Sequence, residues 1–164
     1  MSYRIAPLEA RHDRSAFSCG VKELDDYFHA RAGQDIRRRL ASCFVMVADD
    51  GSIAGYYTLS ATSIALSDLP ATLAGKLPRY PTIPATLLGR LAVDRKYRSQ
   101  GLGEALLYDA FAKALRSEIA SFAFVVDAKN EAARAFYERY QFVGLSDFGT
   151  RMFVPLSEIA KLFA

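Results

Sequence analysis

The chain has 164 residues, enough to bury one core without disulfide or metal staples, and this length points to a single domain over 1–164. Hydrophobic residues make up 51% and charged residues 24%, the balance of a globular protein, and no apolar run approaches the ~18 residues of a membrane span. The net charge of +3 permits a polyanionic partner without demanding one. Cys19 and Cys43 match no metal-ligand spacing and make no disulfide framework, so they read as small apolar residues. His12 and His29 are too few and too scattered for a metal cluster, and no metal is expected. The first residues, Met1-Ser-Tyr-Arg-Ile-Ala-Pro, lack the basic-then-apolar layout of a signal peptide. A cytoplasmic location is the resulting expectation.

In chain order, Ser18-Cys-Gly20 reads as a turn into a helix near 21–32, with Leu24, Tyr27, Phe28 and Ala32 at helical spacing. Gly33 is expected to interrupt it. A second helical piece from Gln34 to Leu40 carries Arg37, Arg38 and Arg39, of which at most two can face the same way. Ser42–Ala48 is an apolar run of strand length, Asp49-Asp50-Gly51 is a hairpin turn, and Ala54–Ala61 is the returning strand. From Leu66 to Pro84 the chain reads as a long loop with one helical turn near 70–76, bearing Lys76, Arg79 and Tyr80. Ala85–Val93 reads as a buried strand, and 101–118 as a helix with Leu102, Leu106, Leu107, Ala110, Phe111, Ala114 and Leu115 inward. Ser121–Asp127 reads as a central strand, 130–140 as a helix, and Arg151–Leu156 as a last strand. The order predicts a mixed α/β or α+β sandwich around one central sheet.

The turn Arg98-Ser99-Gln100-Gly101-Leu102-Gly103 falls where a strand ends and a helix begins. Its glycines let backbone N–H groups converge beside the positive end of the helix dipole, a geometry suited to a pyrophosphate. Arg98 adds charge at the mouth, with Arg95 and Lys96 nearby. The spacing is neither a dinucleotide fingerprint, whose third glycine would fall at Leu106, nor a Walker loop. By itself a glycine pair before a helix is equally a tight connection.

Leu91-Ala-Val-Asp-Arg-Lys-Tyr-Arg-Ser-Gln-Gly-Leu-Gly-Glu-Ala-Leu-Leu resembles the signature of the GNAT acetyltransferase superfamily. The resemblance implies a single-domain fold with a mixed central sheet flanked by helices, and acetyl-CoA as co-substrate. By it, Leu91, Ala92 and Val93 lie along the pantetheine arm, and Arg98, Ser99, Gln100, Gly101, Leu102 and Gly103 hold the phosphates. Asn130-Glu-Ala-Ala133-Arg-Ala-Phe-Tyr137 is similar to the downstream motif, whose asparagine and tyrosine flank the thioester. Spacing would place Asn130 two helical turns before Tyr137 on one face. The resemblance makes Tyr137 the general acid, since a phenol near the sulfur can protonate the departing thiolate. The family usually ends this stretch in Gly-Phe, whereas this chain has Gln141-Phe142, a change at a helix C-cap.

Many members place an acidic residue three positions before the valine of the coenzyme strand, and here that position is Arg90. An arginine is no base, so an acceptor with an already acidic amine, carrying negative charge, fits better than a lysine. His12–Phe28, Ala32–Arg39, Gly55–Ser60, Leu88–Asp94, Val126–Lys129 and Arg151–Leu156 together resemble one GNAT branch: the toxins of bacterial type II toxin–antitoxin pairs. This implies acetylation of the α-amine of aminoacyl-tRNA to block translation. It also implies a ribbon-helix-helix antitoxin as partner, and a homodimer is common in the branch. Arg37, Arg38, Arg39, Lys76, Arg79 and Arg90 are then candidates for tRNA phosphates. Two alternatives are an N-acetyltransferase for a small amine or a protein N-terminus, and a degenerate module that only binds coenzyme A or a partner. A toxin–antitoxin pair could also bind its own promoter, with DNA contacts mainly from the antitoxin.

Overall fold

A computed structural model describes residues 2–146 and 149–164. Its elements are β1 (Tyr3–Pro7), α1 (Lys22–Ala30), α2 (Ala32–Arg37), β2 (Ser42–Ala48), β3 (Ile53–Ala65), α3 (Ala71–Ala74) and β4 (Thr82–Val93). There follow α4 (Leu102–Arg116), β5 (Ala123–Asp127), α5 (Glu131–Glu138), β6 (Val143–Gly144), β7 (Arg151–Pro155) and α6 (Leu156–Ala160). The strands make one mixed sheet in the order β1-β2-β3-β4-β5-β7-β6, and helices flank it. Among the described residues no helix is long and apolar enough to cross a membrane. The chain forms two compact units, Met1–Ser60 with Gly89–Ala110, and Ala61–Leu88 with Phe111–Ala164.

In the first unit, β1, β2 and β3 are an antiparallel meander, with Tyr3 opposite Ala48 and Ser42 opposite Leu59. The turn between β2 and β3 uses Gly51 at φ +88°, while Asp50 Oδ1 accepts from the Ser52 N–H at 2.9 Å. The core is aromatic: Phe28 stacks on Tyr56 at 4.3 Å, and Phe17 meets both rings edge-on. Cys19 and Cys43 are buried free thiols within it. Gly55 is where β3 meets β4 and α4. A Cβ there would stand 2.8 Å from Leu106 Cδ1 and 2.9 Å from the Ala92 carbonyl oxygen.

In the second unit, β4 and β5 are parallel from Ala85 opposite Ala123 to Leu88 opposite Val126, and the ladder stops there. β5 pairs antiparallel with β7, and β7 with β6. Ile64, Ile83, Ala123, Val125 and Phe153 form its core.

Several boundaries differ from the sequence reading. The first helix breaks at Arg31, which leaves helical geometry at φ −120°, and Gly33 lies inside α2. Fully buried Ala32 draws the second helix into the core, so packing overrides the glycine. That helix ends at Arg37, short of the expected Leu40. β3 runs past Ala61 to Ala65 because Ile64, 1% exposed, anchors its end behind a polar stretch. β4 begins at Thr82 because buried Ile83 carries the strand through Pro84, whose carbonyl still accepts from the Phe122 N–H at 2.9 Å. β1, β6 and α6 went unread.

Candidate active site

The first unit holds the predicted anion turn. Leu91, Ala92 and Val93 end β4, beyond the stretch that pairs with β5. A 3₁₀ turn over Arg95–Tyr97 follows, capped by Asp94, whose Oδ1 accepts from the Lys96 N–H at 2.8 Å. Asp94 is 2% exposed, and its other oxygen accepts from the Ser18 N–H at 2.9 Å. Ser99 and Gly101 then both take the left-handed conformation, at φ +64° and +74°. Left-handed residues alternating along a turn aim successive N–H groups at one concave spot. The first N–H groups of α4 have no acceptor within the helix, so the dipole's positive end faces the same region. A Cβ on Gly101 would meet nothing within 4 Å, so the glycine serves the backbone conformation and leaves space open. The Gln100 side chain is tied down, its Oε1 accepting from the Tyr3 hydroxyl at 2.6 Å. These features fit the pyrophosphate of coenzyme A.

The Ser18-Cys19-Gly20 turn, read from sequence only as a helix entry, seats the two arginines of this region. Arg98 donates to the Cys19 carbonyl, and Arg95 to Ser18 Oγ at 2.9 Å. Gly20, at φ +91°, leaves room for the Arg98 guanidinium, which would lie 3.0 Å from a Cβ. Both cations are thus anchored by one end.

In the second unit, Asn130 stands outside the helix as the N-cap of α5. Its Oδ1 accepts from the Ala133 N–H at 2.8 Å. The helix begins at Glu131 rather than at Asn130, so the asparagine caps the helix that carries Tyr137 instead of forming its first turn. The asparagine's NH₂ is the end left for a ligand.

Tyr137 is buried, with its ring 5.1 Å from Phe136 and 5.2 Å from Phe142. Burial pushes its phenol well above the ordinary value of 10, so it keeps its proton. Among the described residues no group hydrogen-bonds its hydroxyl. Its backbone closes the helix: the Phe142 N–H donates to the Tyr137 carbonyl at 3.4 Å and the Gln141 N–H to Glu138 at 3.3 Å. With Gln141 at φ +75°, this is a Schellman cap whose apolar contact is the Tyr137–Phe142 pair. Gln141 thus adopts the left-handed conformation expected of glycine.

The candidate tRNA contacts divide between the units. In the first, Arg37 ends α2, Arg38 is its C-cap and Arg39 is left-handed at φ +60°, all exposed. Arg90 is half-buried on β4, its guanidinium 3.5 Å over the centre of the Tyr27 ring. In the second unit, Lys76 and Arg79 are exposed after α3.

Strand, left-handed turn and helix in this order make an α/β unit whose turn has the geometry of an anion nest. A model of the acetyltransferase (GNAT) family matches residues 9–142, and the chain belongs to that family. It is 31% identical over 169 residues to the "Probable toxin TacT" of Sinorhizobium fredii (strain NBRC 101917 / NGR234), covering 96% of this chain and 93% of that protein. It is 38% identical over 132 residues to the "tRNA-acetylating toxin" of Mycobacterium tuberculosis (strain ATCC 25618 / H37Rv), covering 79% and 78%. Among solved structures it is similar to AtaT complexed with acetyl-methionyl-tRNAfMet, with a TM-score of 0.88 at 26% identity over 99% of this chain and 100% of that one. AtaTR bound with AcCoA matches with a TM-score of 0.83 at 27% identity, over 99% and 98%. A tyrosine-to-phenylalanine mutant of the toxin AtaT, bound to the C-terminus of the antitoxin AtaR, matches with a TM-score of 0.81 at 25% identity, over 100% and 98%.

Proposed function

We propose that this chain is an acetyl-CoA-dependent N-acetyltransferase that acts as a toxin, acetylating the α-amine of aminoacyl-tRNA. The observation that carries this reading is the likeness to a tRNA-acetylating toxin over 79% of the chain, joined to an intact anion turn and a buried tyrosine. The Ser99–Gly103 backbone and Arg98 hold the coenzyme pyrophosphate, and Leu91 and Val93 offer backbone groups to the pantetheine. In the reaction the neutral amine nitrogen attacks the thioester carbonyl carbon. The carbon–sulfur bond breaks, the Tyr137 hydroxyl gives its proton to the departing sulfur, and the amine loses its own proton to solvent. Burial suits the phenol to this role, since it arrives protonated and is drawn on only as thiolate charge develops. The tyrosine-to-phenylalanine mutant among similar toxins agrees with a catalytic tyrosine.

An α-amine at pKa ~8 is far easier to deprotonate than a lysine at ~10.4, which agrees with Arg90 standing where a base would be wanted. By the same likeness, a ribbon-helix-helix antitoxin is the partner that holds the toxin in check. The decisive experiment incubates the chain with acetyl-CoA and charged total tRNA and identifies acetylated species by mass spectrometry. N-acetyl-aminoacyl-tRNA is the expected product; robust acetylation of small amines without it would refute the reading. Tyr137→Phe should keep the fold and lose about a hundredfold or more in turnover, as expected for a lost general acid. Near-normal turnover in that variant would remove Tyr137 from the mechanism.

A further inference from the structure

Four arginines of the first unit are held by oxygen acceptors: Arg11 by Glu9 Oε1, Arg14 by the Phe28 carbonyl, Arg95 by Ser18 Oγ and Arg98 by the Cys19 carbonyl. Arg90 is held differently. It is half-buried, yet among the described residues no carboxylate pairs with it and no oxygen accepts from it. Its close partner is the face of the Tyr27 ring, 3.5 Å from the guanidinium carbon. A guanidinium carries five N–H donors at its edge, and contact through its face leaves that edge unspent.

The platform beneath it is rigid. Tyr27 is 3% exposed, and its hydroxyl donates to Asp35 Oδ2 on α2 at 2.8 Å. Burial of the ring holds it in place, and a part-buried bond ties it to α2 as well. A half-buried cation fixed by its face, with a free planar fork of donors, is matched to a carboxylate or phosphate oxygen pair.

We propose that Tyr27 is a positioning residue that fixes Arg90 so that its guanidinium edge takes one phosphodiester of the acceptor nucleic acid. This rests on charged tRNA being the acceptor, and it adds the residue pair that selects an anionic acceptor over a neutral amine.

The test is steady-state acetylation of charged tRNA across a salt series, with acetyl-CoA affinity measured separately by calorimetry. One single-strand phosphate contact contributes about 0.7 to the slope of log affinity against log salt. Arg90→Gln should make the slope of log kcat/KM shallower by about that amount and leave acetyl-CoA affinity unchanged. Tyr27→Leu should raise KM for tRNA about fivefold, the worth of one cation–π contact, with kcat unchanged. Combined with Arg90→Gln it should add nothing further, because Tyr27 acts through Arg90. Tyr27→Phe keeps the ring and should stay within about twofold of the unaltered chain, the scale of losing one partly solvated hydrogen bond. An unchanged salt slope, additive effects, or a shift in acetyl-CoA affinity would overturn the proposal; the last would assign Arg90 to a coenzyme phosphate instead. If Tyr27→Leu does not fold, the Arg90→Gln slope and Tyr27→Phe still decide. Absence of tRNA acetylation by the unaltered chain defeats the acceptor reading itself, whereas full activity with an unchanged slope in Arg90→Gln defeats only the positioning role.

Discussion

Gln141 illustrates how one residue can carry a conformation its side chain disfavours. A left-handed L-residue costs about 1–2 kcal/mol, yet Gln141 holds φ +75° because the Schellman bonds and the Tyr137–Phe142 contact demand it. Gln141→Gly relieves that strain and loses about 0.5–1 kcal/mol through the freer unfolded chain. The expected net effect is a gain of about 0.5 kcal/mol in stability, measured by urea unfolding. A loss of stability would mean that the Gln141 side chain contributes more than its backbone costs. The departure from Gly-Phe was visible in the sequence, but its outcome was not. Whether a non-glycine takes the left-handed form depends on what the closed cap gains, here a contact with a buried ring.

At the scale of elements, the anion turn was the most legible part of the candidate site. Two glycines flanking one residue, just before an apolar-periodic helix, mark a tight strand-to-helix turn, and the resemblance of the surrounding residues made it an anion turn. What escaped was its support. Ser18, Cys19 and Gly20 lie far earlier in the chain, and nothing in their types announces that they receive Arg95 and Arg98. Asp94 stood in the sequence only as part of a motif and is a buried double acceptor. Tyr27 and Asp35 were read as helix residues, and only the folded arrangement sets the Tyr27 ring under Arg90. Asn130 was assigned to a helix face because spacing alone cannot distinguish an N-cap from a first turn. For the turn itself, Gly101→Ala meets no clash, so its cost is backbone strain of about 1–2 kcal/mol. A distorted nest should also weaken acetyl-CoA binding about tenfold, equivalent to about 1.4 kcal/mol. Calorimetry on the folded variant checks this, and unaltered affinity would show that the turn does not hold the pyrophosphate.

For the molecule as a whole, the mixed sheet and its helices were legible from alternating apolar runs and periodic stretches, whereas the short elements were not. β1 is five residues long with Arg4 as its second residue and Pro7 at its end, and β6 has only two residues, so neither leaves a period to read. Acid sensitivity of the fold also belongs at this scale. His12 Nδ1 accepts from the Glu9 N–H at 2.9 Å, which leaves the proton on Nε2, buried without a partner among the described residues. Burial, helped by the Arg11 charge, holds its pKa below the ordinary 6.5. The unfolded chain therefore binds a proton that the folded chain refuses, so stability is full above pH ~6.5 and is lost as pH falls toward the depressed folded value. His12→Asn, which keeps an acceptor for Glu9, should flatten that part of the profile in thermal unfolding scans from pH 8 to 5. An unchanged profile would place the acid sensitivity elsewhere.

The Schellman cap after α5 has a consequence for how such a chain can vary. The carbonyl that closes the cap belongs to Tyr137 itself, and the bond to it spans a fixed count of residues through Phe142. Exchanging side chains at Arg139, Tyr140 or Gln141 alters strain and surface while leaving that count intact. Inserting or deleting a single residue there would break the bond and release the tyrosine's ring from its neighbour. Drift in this segment can therefore proceed by replacement, while its length is tied to the chemistry of the residue it encloses.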